Sequence, residues 1–429
     1  TMKKKSFDEL YRDILRQKIS LREPLPPEYD PSQLDCLLHP ERYAPVIRTG
    51  DCGCSGSYER ACENSCVFDA IVEDGNQSLR IDPDKCVGCE ACIAACENHN
   101  LTASRDVLPA MRAVRQKQGQ AYALVAPAFF GQFGEDVTPG KLRSAFLALG
   151  FSGMVEVALF ADILTMKEAL EFDRHINSRE DFQLTSCCCP VWIAMIRRVY
   201  RELIPHVPGA VSPMIAAGRV VKRLHPDAVT VFVGPCMAKK SEAREADIAD
   251  AVDYVLTFEE MADIFAAADI RPQELPEKKK EHASRAGRIY AHTGGVSEAV
   301  AETVRQLRME DSGQVKAEQV TSGQEKARQV TSRQADGVPA CRELLERIQR
   351  GELEANFFEG MGCVGGCVGG PKAILPREEG RKNVERYGDA ASYRTPLENP
   401  FVMKLMERLG FETVEELLED EELFVRNFD

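Results

Sequence analysis

The sixteen cysteines of this 429-residue chain constrain what it can fold into more than any other feature. The sequence lacks the apolar stretch of a secretory signal, so we expect a cytoplasmic protein in which disulfides are disfavoured and cysteines bind metal. Nine cysteines lie between Cys36 and Cys96, and the others are Cys187, Cys188, Cys189, Cys236, Cys341, Cys363 and Cys367.

Composition argues against two broad classes of function. The formal net charge of −14 makes nonspecific binding to nucleic acid an unlikely role, because phosphates need a basic surface. No run of about 18 apolar residues occurs, so we expect no membrane-spanning helix. Length alone predicts two or three domains.

The early cysteines have the spacing of a bacterial ferredoxin. Cys86-x2-Cys89-x2-Cys92 places three thiolates around one [4Fe–4S] cluster, and the next cysteine reaches a neighbouring cluster. A structural zinc site usually needs two CxxC pairs with a longer spacer, which fits less well. One predicted ligand set is Cys66, Cys86, Cys89 and Cys92, and the other is Cys52, Cys54, Cys62 and Cys96. Cys36 is a spare thiol that could replace Cys52 or Cys54.

The chain divides into three predicted parts. Residues 1–45 form an N-terminal extension, residues 46–105 form the ferredoxin-like domain, and residues 106–429 alternate apolar runs with helical patterns. That alternation predicts an α/β domain with a largely parallel sheet. An imperfect repeat predicts a mobile surface insertion at about 308–337. We expect strands at 121–126, 155–160, 229–233, 254–258 and 289–291, and helices at 139–149, 190–203 and 212–224.

Three further cysteine segments lie far apart in the sequence. They are Thr185-Ser-Cys-Cys-Cys-Pro-Val-Trp192, Gly234-Pro-Cys-Met-Ala-Lys-Lys-Ser-Glu242 and Glu359-Gly-Met-Gly-Cys-Val-Gly-Gly-Cys-Val-Gly-Gly370. Pro190 suits the first turn of a helix, whose N–H groups stabilise an anionic cluster. The glycines of the third segment let backbone approach a bulky inorganic group. One, one and two ligands from three loops predict a site for a further cluster.

These segments resemble the three signature motifs of [FeFe]-hydrogenases, usually written TSCCPxW, PCxxKKxE and ExMxCxxGCxxG, and the triple cysteine is most similar to group B. The resemblance implies a two-lobed α/β catalytic domain that interconverts H2 with protons and electrons. It implies an H-cluster, in which a [4Fe–4S] cluster joins a two-iron subsite carrying CO, cyanide and an azadithiolate. It also implies a ferredoxin or another redox carrier as electron partner, and maturation proteins that supply the subsite.

The resemblance assigns roles to particular residues. The H-cluster ligands are Cys189, Cys236, Cys363 and Cys367, the last of which bridges to the two-iron subsite. Cys188 would be the thiol facing the open iron, followed in a proton relay by Glu171 and Glu168. Counting from Thr185 instead would shift the thiol and the ligand to Cys187 and Cys188. Lys239 resembles a lysine that donates to a cyanide ligand, and the pocket residues are Met361, Ala126, Pro127, Thr293 and Gly294.

Several positions depart from the family pattern, and one departure is that Gly370 is followed by Pro371-Lys372 where GGQP is common. Pro208 stands where many members have a serine in the proton path, Met214 replaces a glutamine, and Gly234 replaces a methionine. These changes leave every predicted cluster ligand in place. The alternatives are a sensory or low-activity homologue, a Nar1-like iron–sulfur assembly protein without the two-iron subsite, and a ferredoxin-type electron carrier.

Overall fold

A computed structural model describes residues 5–20, 29–50, 54, 60–73, 79–185, 188–312 and 329–428. Strands β1 to β11 span Val46–Arg48, Ile71–Glu73, Leu79–Ile81, Leu101–Ala103, Ala121–Val125, Gly153–Glu156, Gln183–Leu184, Val229–Gly234, Tyr254–Thr257, Ser332–Asp336 and Phe357–Met361. Helices α1 to α17 span Phe7–Ser20, Pro31–Leu38, Ala61–Asn64, Ala91–Ala95, Val107–Gln116, Pro139–Ala148, Ala158–His175, Pro190–Arg198, Pro213–Leu224, Ala238–Glu242, Phe258–Ala267, Arg285–Ile289, Gly295–Ser312, Val338–Gln349, Arg377–Asp389, Pro400–Leu409 and Val414–Glu419. Short 3-10 helices occupy Pro40–Arg42, Pro127–Phe129, Arg201–His206, Pro272–Glu274, Cys367–Gly369 and Pro396–Glu398.

Two parallel sheets form the two lobes of the large domain. The first has the order β6-β5-β8-β9, and the second has the order β10-β11-β7. Helices α5, α9 and α11 pack on the first sheet, and α8, α13 and α14 pack on β11 of the second. Strand β11 is buried at every position, which is typical of a parallel strand covered on both faces. The prediction of an α/β domain with parallel sheets is confirmed.

Some predicted elements were wrong. The strand predicted at 155–160 ends at Glu156, and α7 begins at Ala158, because the apolar run continues from a buried strand into a buried helix. The strand predicted at 289–291 contains the last residue of α12 and the turn after it. The helix predicted at 190–203 ends at Arg198, and a 3-10 helix follows.

The predicted insertion contains an element of the second sheet. Ser332–Asp336 pairs in parallel with Phe357–Met361, so the end of the segment at 308–337 is a strand of the fold. Its middle, 313–328, lies outside the described residues.

The cysteine-rich module is built from two small antiparallel pairs, β1 with β4 and β2 with β3. Its own core is small and includes Val46, Ile71 and Leu79. The predicted N-terminal extension contains α1 and α2, which pack into the main core through side chains such as Leu10 and Leu37. Among the described residues, no helix is both long and apolar enough to cross a lipid bilayer.

A buried ion pair fastens the second cysteine segment to α11, which packs on the first sheet. Lys240 is fully buried, and its ammonium lies 3.0 Å from Glu260 and donates to the Ser104 carbonyl at 2.9 Å. Burial would raise the pKa of Glu260, but Lys240 and Arg105 outweigh it and lower the pKa. The pair is therefore ionised at neutral pH, and its contribution to stability is lost as the pH falls through the lowered pKa of Glu260.

Substitution of this lysine should destabilise the fold strongly. Lys240→Met leaves the Glu260 carboxylate buried without its cation, and we expect a loss of about 3–5 kcal/mol in the free energy of unfolding, measured by anaerobic urea denaturation. Lys222→Met is the matched control, because its ion pair with Asp253 is partly exposed, and it should cost about 1 kcal/mol or less. Equal losses in the two variants would contradict this account.

Candidate functional site

The carboxyl ends of strands from both sheets meet around one cavity. Ala126 follows β5, Cys189 follows β7, Cys236 follows β8 and Gly362 follows β11. In parallel sheets such ends share one edge, which is the usual place for a ligand. The cavity has about 750 Å³ of empty space, including the part open to solvent. Its lining is mostly apolar, and the sulfur and ammonium groups within it belong to Cys188, Cys189, Cys236, Cys363, Cys367, Met214, Met361 and Lys239.

The first and third cysteine segments interlock through a close backbone approach. Cys189 precedes α8, and its sulfur accepts a hydrogen bond from the Gly362 N–H at 3.1 Å. Trp192 lies against Gly360, where an added Cβ would come within 1.9 Å of the indole ring. Its indole N–H donates to the Thr185 carbonyl at 3.1 Å, so the tryptophan holds the cysteine loop on the strand beside it.

The thiols in the cavity form one electrostatic group. Burial, together with charge on Cys367 and Cys189, raises the pKa of Cys236 to about 12. Burial also raises the pKa of Cys367 to about 11. Such thiols stay protonated near neutral pH unless a cation replaces their protons. Within the described ranges, no three Cys, His, Asp or Glu side chains converge as ligands of a single metal ion. Thiols spread around a cavity suit the larger iron–sulfur group.

Lys239 supplies positive charge at the cavity wall. Its ammonium lies 2.6 Å from the Glu242 carboxylate, and both side chains are buried. Burial alone would lower the pKa of Lys239, but Glu242 and the Cys236 thiol outweigh it and raise the pKa. The lysine therefore keeps its charge beside the thiols.

The structure brings Cys188 into the same cavity. Its sulfur lies 4.0 Å from the sulfur of Met361, and both residues line the space. Cys187 lies outside the described residues, so the choice between the two cysteine registers stays a prediction.

Ala126 and Pro127 line the cavity, whereas Thr293 and Gly294 are not among its lining residues. The Thr293 hydroxyl donates to Asp336 at 2.9 Å, and the Gly294 N–H donates to Glu359 at 2.8 Å. The family resemblance implied a pocket loop here, and the structure places Thr293 against the loop that carries Cys363, through a hydrogen bond from its N–H to the Gly365 carbonyl.

Two carboxylates that the sequence analysis missed hold this loop. Asp336 accepts hydrogen bonds from Thr293 and from the Gly365 N–H, the latter at 3.0 Å. Glu359 accepts from the N–H and the hydroxyl of Ser297, at 2.8 and 2.6 Å. The position of Glu359 within the third segment was a signal that could have identified it. Asp336 carried no such signal, because it lies in the segment predicted as an insertion.

The predicted relay carboxylates lie on α7. Glu168 is fully buried, and Glu171 is partly exposed beside His175, with 3.0 Å between carboxylate and imidazole. One turn before Glu168, the Thr165 hydroxyl donates to Tyr290, which lines the cavity. The helix therefore runs from the cavity wall to a surface cleft that Glu171 and Pro208 line.

The ferredoxin-like module presents one predicted ligand set to the cavity. Cys66, Cys86, Cys89 and Cys92 line a second, smaller pocket. The Ser241 hydroxyl donates to the Cys86 carbonyl at 2.8 Å, and Cys89 packs against the same hydrophobic cluster as Cys189 and Cys236, so the two sites are neighbours.

Only part of the other predicted set is described. Cys62 and Cys96 lie at the module's small core, and Cys54 accepts a hydrogen bond from Asn98 at 3.2 Å. Cys52 lies outside the described residues. Cys36 packs into the main core from α2, so its side chain does not join the small core around Cys62.

Comparison with known proteins gives a consistent result. Residues 119–371 match the family described as iron only hydrogenase large subunit, C-terminal domain, and residues 79–102 match a 4Fe-4S binding domain. Iron hydrogenase 1 of Clostridium pasteurianum is 28% identical over 298 residues, which are 63% of this chain and 52% of that protein. The chain thus spans about half the length of this relative.

Two further comparisons are informative. Cytosolic iron-sulfur assembly component 3 of Bos taurus is 24% identical over 416 residues, 82% of this chain and 86% of that protein. A solved structure of a variant of [FeFe]-hydrogenase HydA1 from Chlamydomonas reinhardtii has a TM-score of 0.60 at 23% identity, covering 75% of this chain and 98% of that chain. That likeness shows the fold, including its two parallel sheets.

The glycines of the third segment should be essential for metal loading. Gly366 has φ +83, and an added Cβ would lie 2.7 Å from the Thr293 nitrogen, so Gly366→Ala should displace Cys367 and lower the iron content per chain after anaerobic reconstitution. Gly351→Ala is the control, because Gly351 has φ +66 with open space around it, and it should keep its iron. Full iron content in Gly366→Ala would contradict this.

Proposed function

The chain belongs to the iron-only hydrogenase large-subunit family, and on that premise we propose that it catalyses the reversible reaction H2 = 2 H+ + 2 e−. The observation that carries the proposal is the cavity itself. Its lining adds Cys188, Lys239 and Met361 to the four predicted cluster ligands.

We assign an H-cluster to this cavity. Cys189, Cys236, Cys363 and Cys367 would hold its [4Fe–4S] part, and Cys367 would also bind the two-iron subsite. When bound, the subsite supplies a Lewis-acidic metal with an open position and an amine base for the heterolytic cleavage of hydrogen.

The protein's own residues bind the group, shield it from water and transfer protons. Lys239 keeps its positive charge at the cavity wall. It would donate hydrogen bonds to the anionic ligands of the bound group. Met361 and the apolar lining keep water from the reacting atoms. The Cys188 thiol receives a proton from the cavity and passes it towards Glu168 and Glu171.

Electrons leave in the other direction, through the ferredoxin-like module. The packing of Cys89 against the same hydrophobic cluster as Cys189 and Cys236 supports transfer between the cavity and a [4Fe–4S] cluster on Cys66, Cys86, Cys89 and Cys92. A second cluster on Cys52, Cys54, Cys62 and Cys96 would pass them to a ferredoxin or another redox carrier.

A second candidate function is iron–sulfur assembly. The observation that favours it is the likeness to the assembly component of Bos taurus over 82% of this chain. An assembly protein needs the clusters, which the Lys239 charge would stabilise in either case, but it has no use for a relay thiol beyond the ligands. The presence of Cys188 in the cavity beside Met361 therefore favours hydrogen chemistry.

The direct test is a hydrogen-evolution assay with a reduced dye, on protein produced anaerobically with and without hydrogenase maturation proteins. The proposal predicts turnover only after maturation. A protein that carries all its clusters after competent maturation and still evolves no hydrogen would favour the assembly function.

Removal of the relay thiol should separate chemistry from metal binding. Cys188→Ala should lower hydrogen turnover by about a hundredfold or more, because proton transfer loses its first acceptor, while the iron content stays unchanged. Cys36→Ala removes a buried thiol from α2 and should keep full activity. Full activity in Cys188→Ala would exclude this residue as the relay.

A further inference from the structure

The buried carboxylate on α7 is held by an amide from the second sheet. The Gln183 side-chain nitrogen donates to the Glu168 carboxylate at 2.7 Å and to the Glu168 carbonyl at 3.2 Å. The reversed amide orientation would place its oxygen against two acceptors, so these contacts fix which way the amide points. Glu168 is fully buried and Gln183 is 4% exposed, so the bond is made away from bulk water.

The same glutamine lines the surface cleft at the outer end of α7. That cleft has about 710 Å³ of empty space, including the part open to solvent, and Glu171, His175, His206 and Pro208 also line it. Gln183 therefore touches the buried carboxylate on one side and the solvent-filled cleft on the other.

Pro208 lies in the wall of this cleft and has no hydroxyl that could connect Glu168 with Glu171. A route for protons from the cavity needs another group that fixes the inner carboxylate at the edge of the solvent space. Gln183 is in contact with both.

We propose that Gln183 is a positioning residue of the proton path, an inference that rests on the proposed function. It holds the Glu168 carboxylate at the inner end of the cleft, where a proton passes from Glu168 to water beside Glu171. Each H2 gives two protons, which leave by this path, and two electrons, which leave through the clusters. Gln183 itself gains and loses no proton.

The first test separates cleavage of hydrogen from the exit of protons. Conversion of para- to ortho-hydrogen requires only reversible cleavage inside the cavity, whereas the exchange D2 + H2O = HD + HDO requires a proton to cross to water. Gln183→Met should slow exchange about tenfold or more and leave the conversion within about twofold. An unchanged exchange rate, or equal losses in both reactions, would overturn the proposal.

Gln132→Met is the matched control, because Gln132 is also buried but accepts hydrogen bonds from Ile374 and Leu375. It should change neither rate, and slowed exchange in this variant would overturn the assignment to Gln183.

If Gln183→Met does not fold, Gln183→Ser provides the test. Its hydroxyl and an added water can donate to Glu168, so exchange should fall by only about threefold. A fall as deep as tenfold in this variant would overturn the proposal.

A second readout does not depend on activity. In protein that holds only its iron–sulfur clusters, the infrared band of the Glu168 side chain, identified as the band that Glu168→Gln removes, should shift in Gln183→Met, because its carboxylate loses a hydrogen bond. An unmoved band would show that Gln183 does not donate to Glu168, and it would overturn the proposal. Absence of turnover in the unsubstituted protein would instead refute the proposed function, so the two failures are distinguishable.

Discussion

The convergence of four thiols on one cavity is the constraint on which the rest of the structure depends. Desolvation raises the pKa of Cys236, Cys363 and Cys367, and charge on Cys189 raises it further in all three. Without a cationic partner, such a group cannot hold negative charge. The glycine loop, the helix that starts after Cys189 and the Lys239 ammonium are the features that let an anionic iron–sulfur group sit there.

The two sheets position this site by ending at the same place. Strands β5 and β8 of the first sheet and β7 and β11 of the second lead into the cavity. The partly buried Asp336 then accepts from the Gly365 N–H in the loop after β11, and the buried Glu359 accepts from the Gly294 N–H in the segment that contacts this loop. The proposed proton and electron routes leave on different sides, along α7 and through the ferredoxin-like module, so cavity residues could exchange both without opening the site to water.

The sequence predicted the fold class and the family, because cysteine spacing and glycine content depend directly on cluster geometry. It did not predict the role of Gln183, because Gln183 lies in a short strand that is placed by pairing with β11, more than a hundred residues later. It did not predict the role of Asp336, because Asp336 lies in a segment with loop-like composition. The strand predicted at 289–291 failed because a short apolar run looks alike in a strand and in a buried helix end. Thr293 and Gly294 were assigned to the pocket, although they contact its supporting carboxylates.

The central claim is that the cavity holds a two-iron group beyond the four-cysteine cluster. Infrared spectroscopy of anaerobically matured protein under hydrogen tests it most directly, because CO and cyanide ligands absorb where protein does not. The account predicts bands from both ligands, which are absent from protein produced without maturation. A matured protein with its full complement of [4Fe–4S] clusters and neither set of bands would contradict the account and leave iron–sulfur assembly as the better explanation of this cavity.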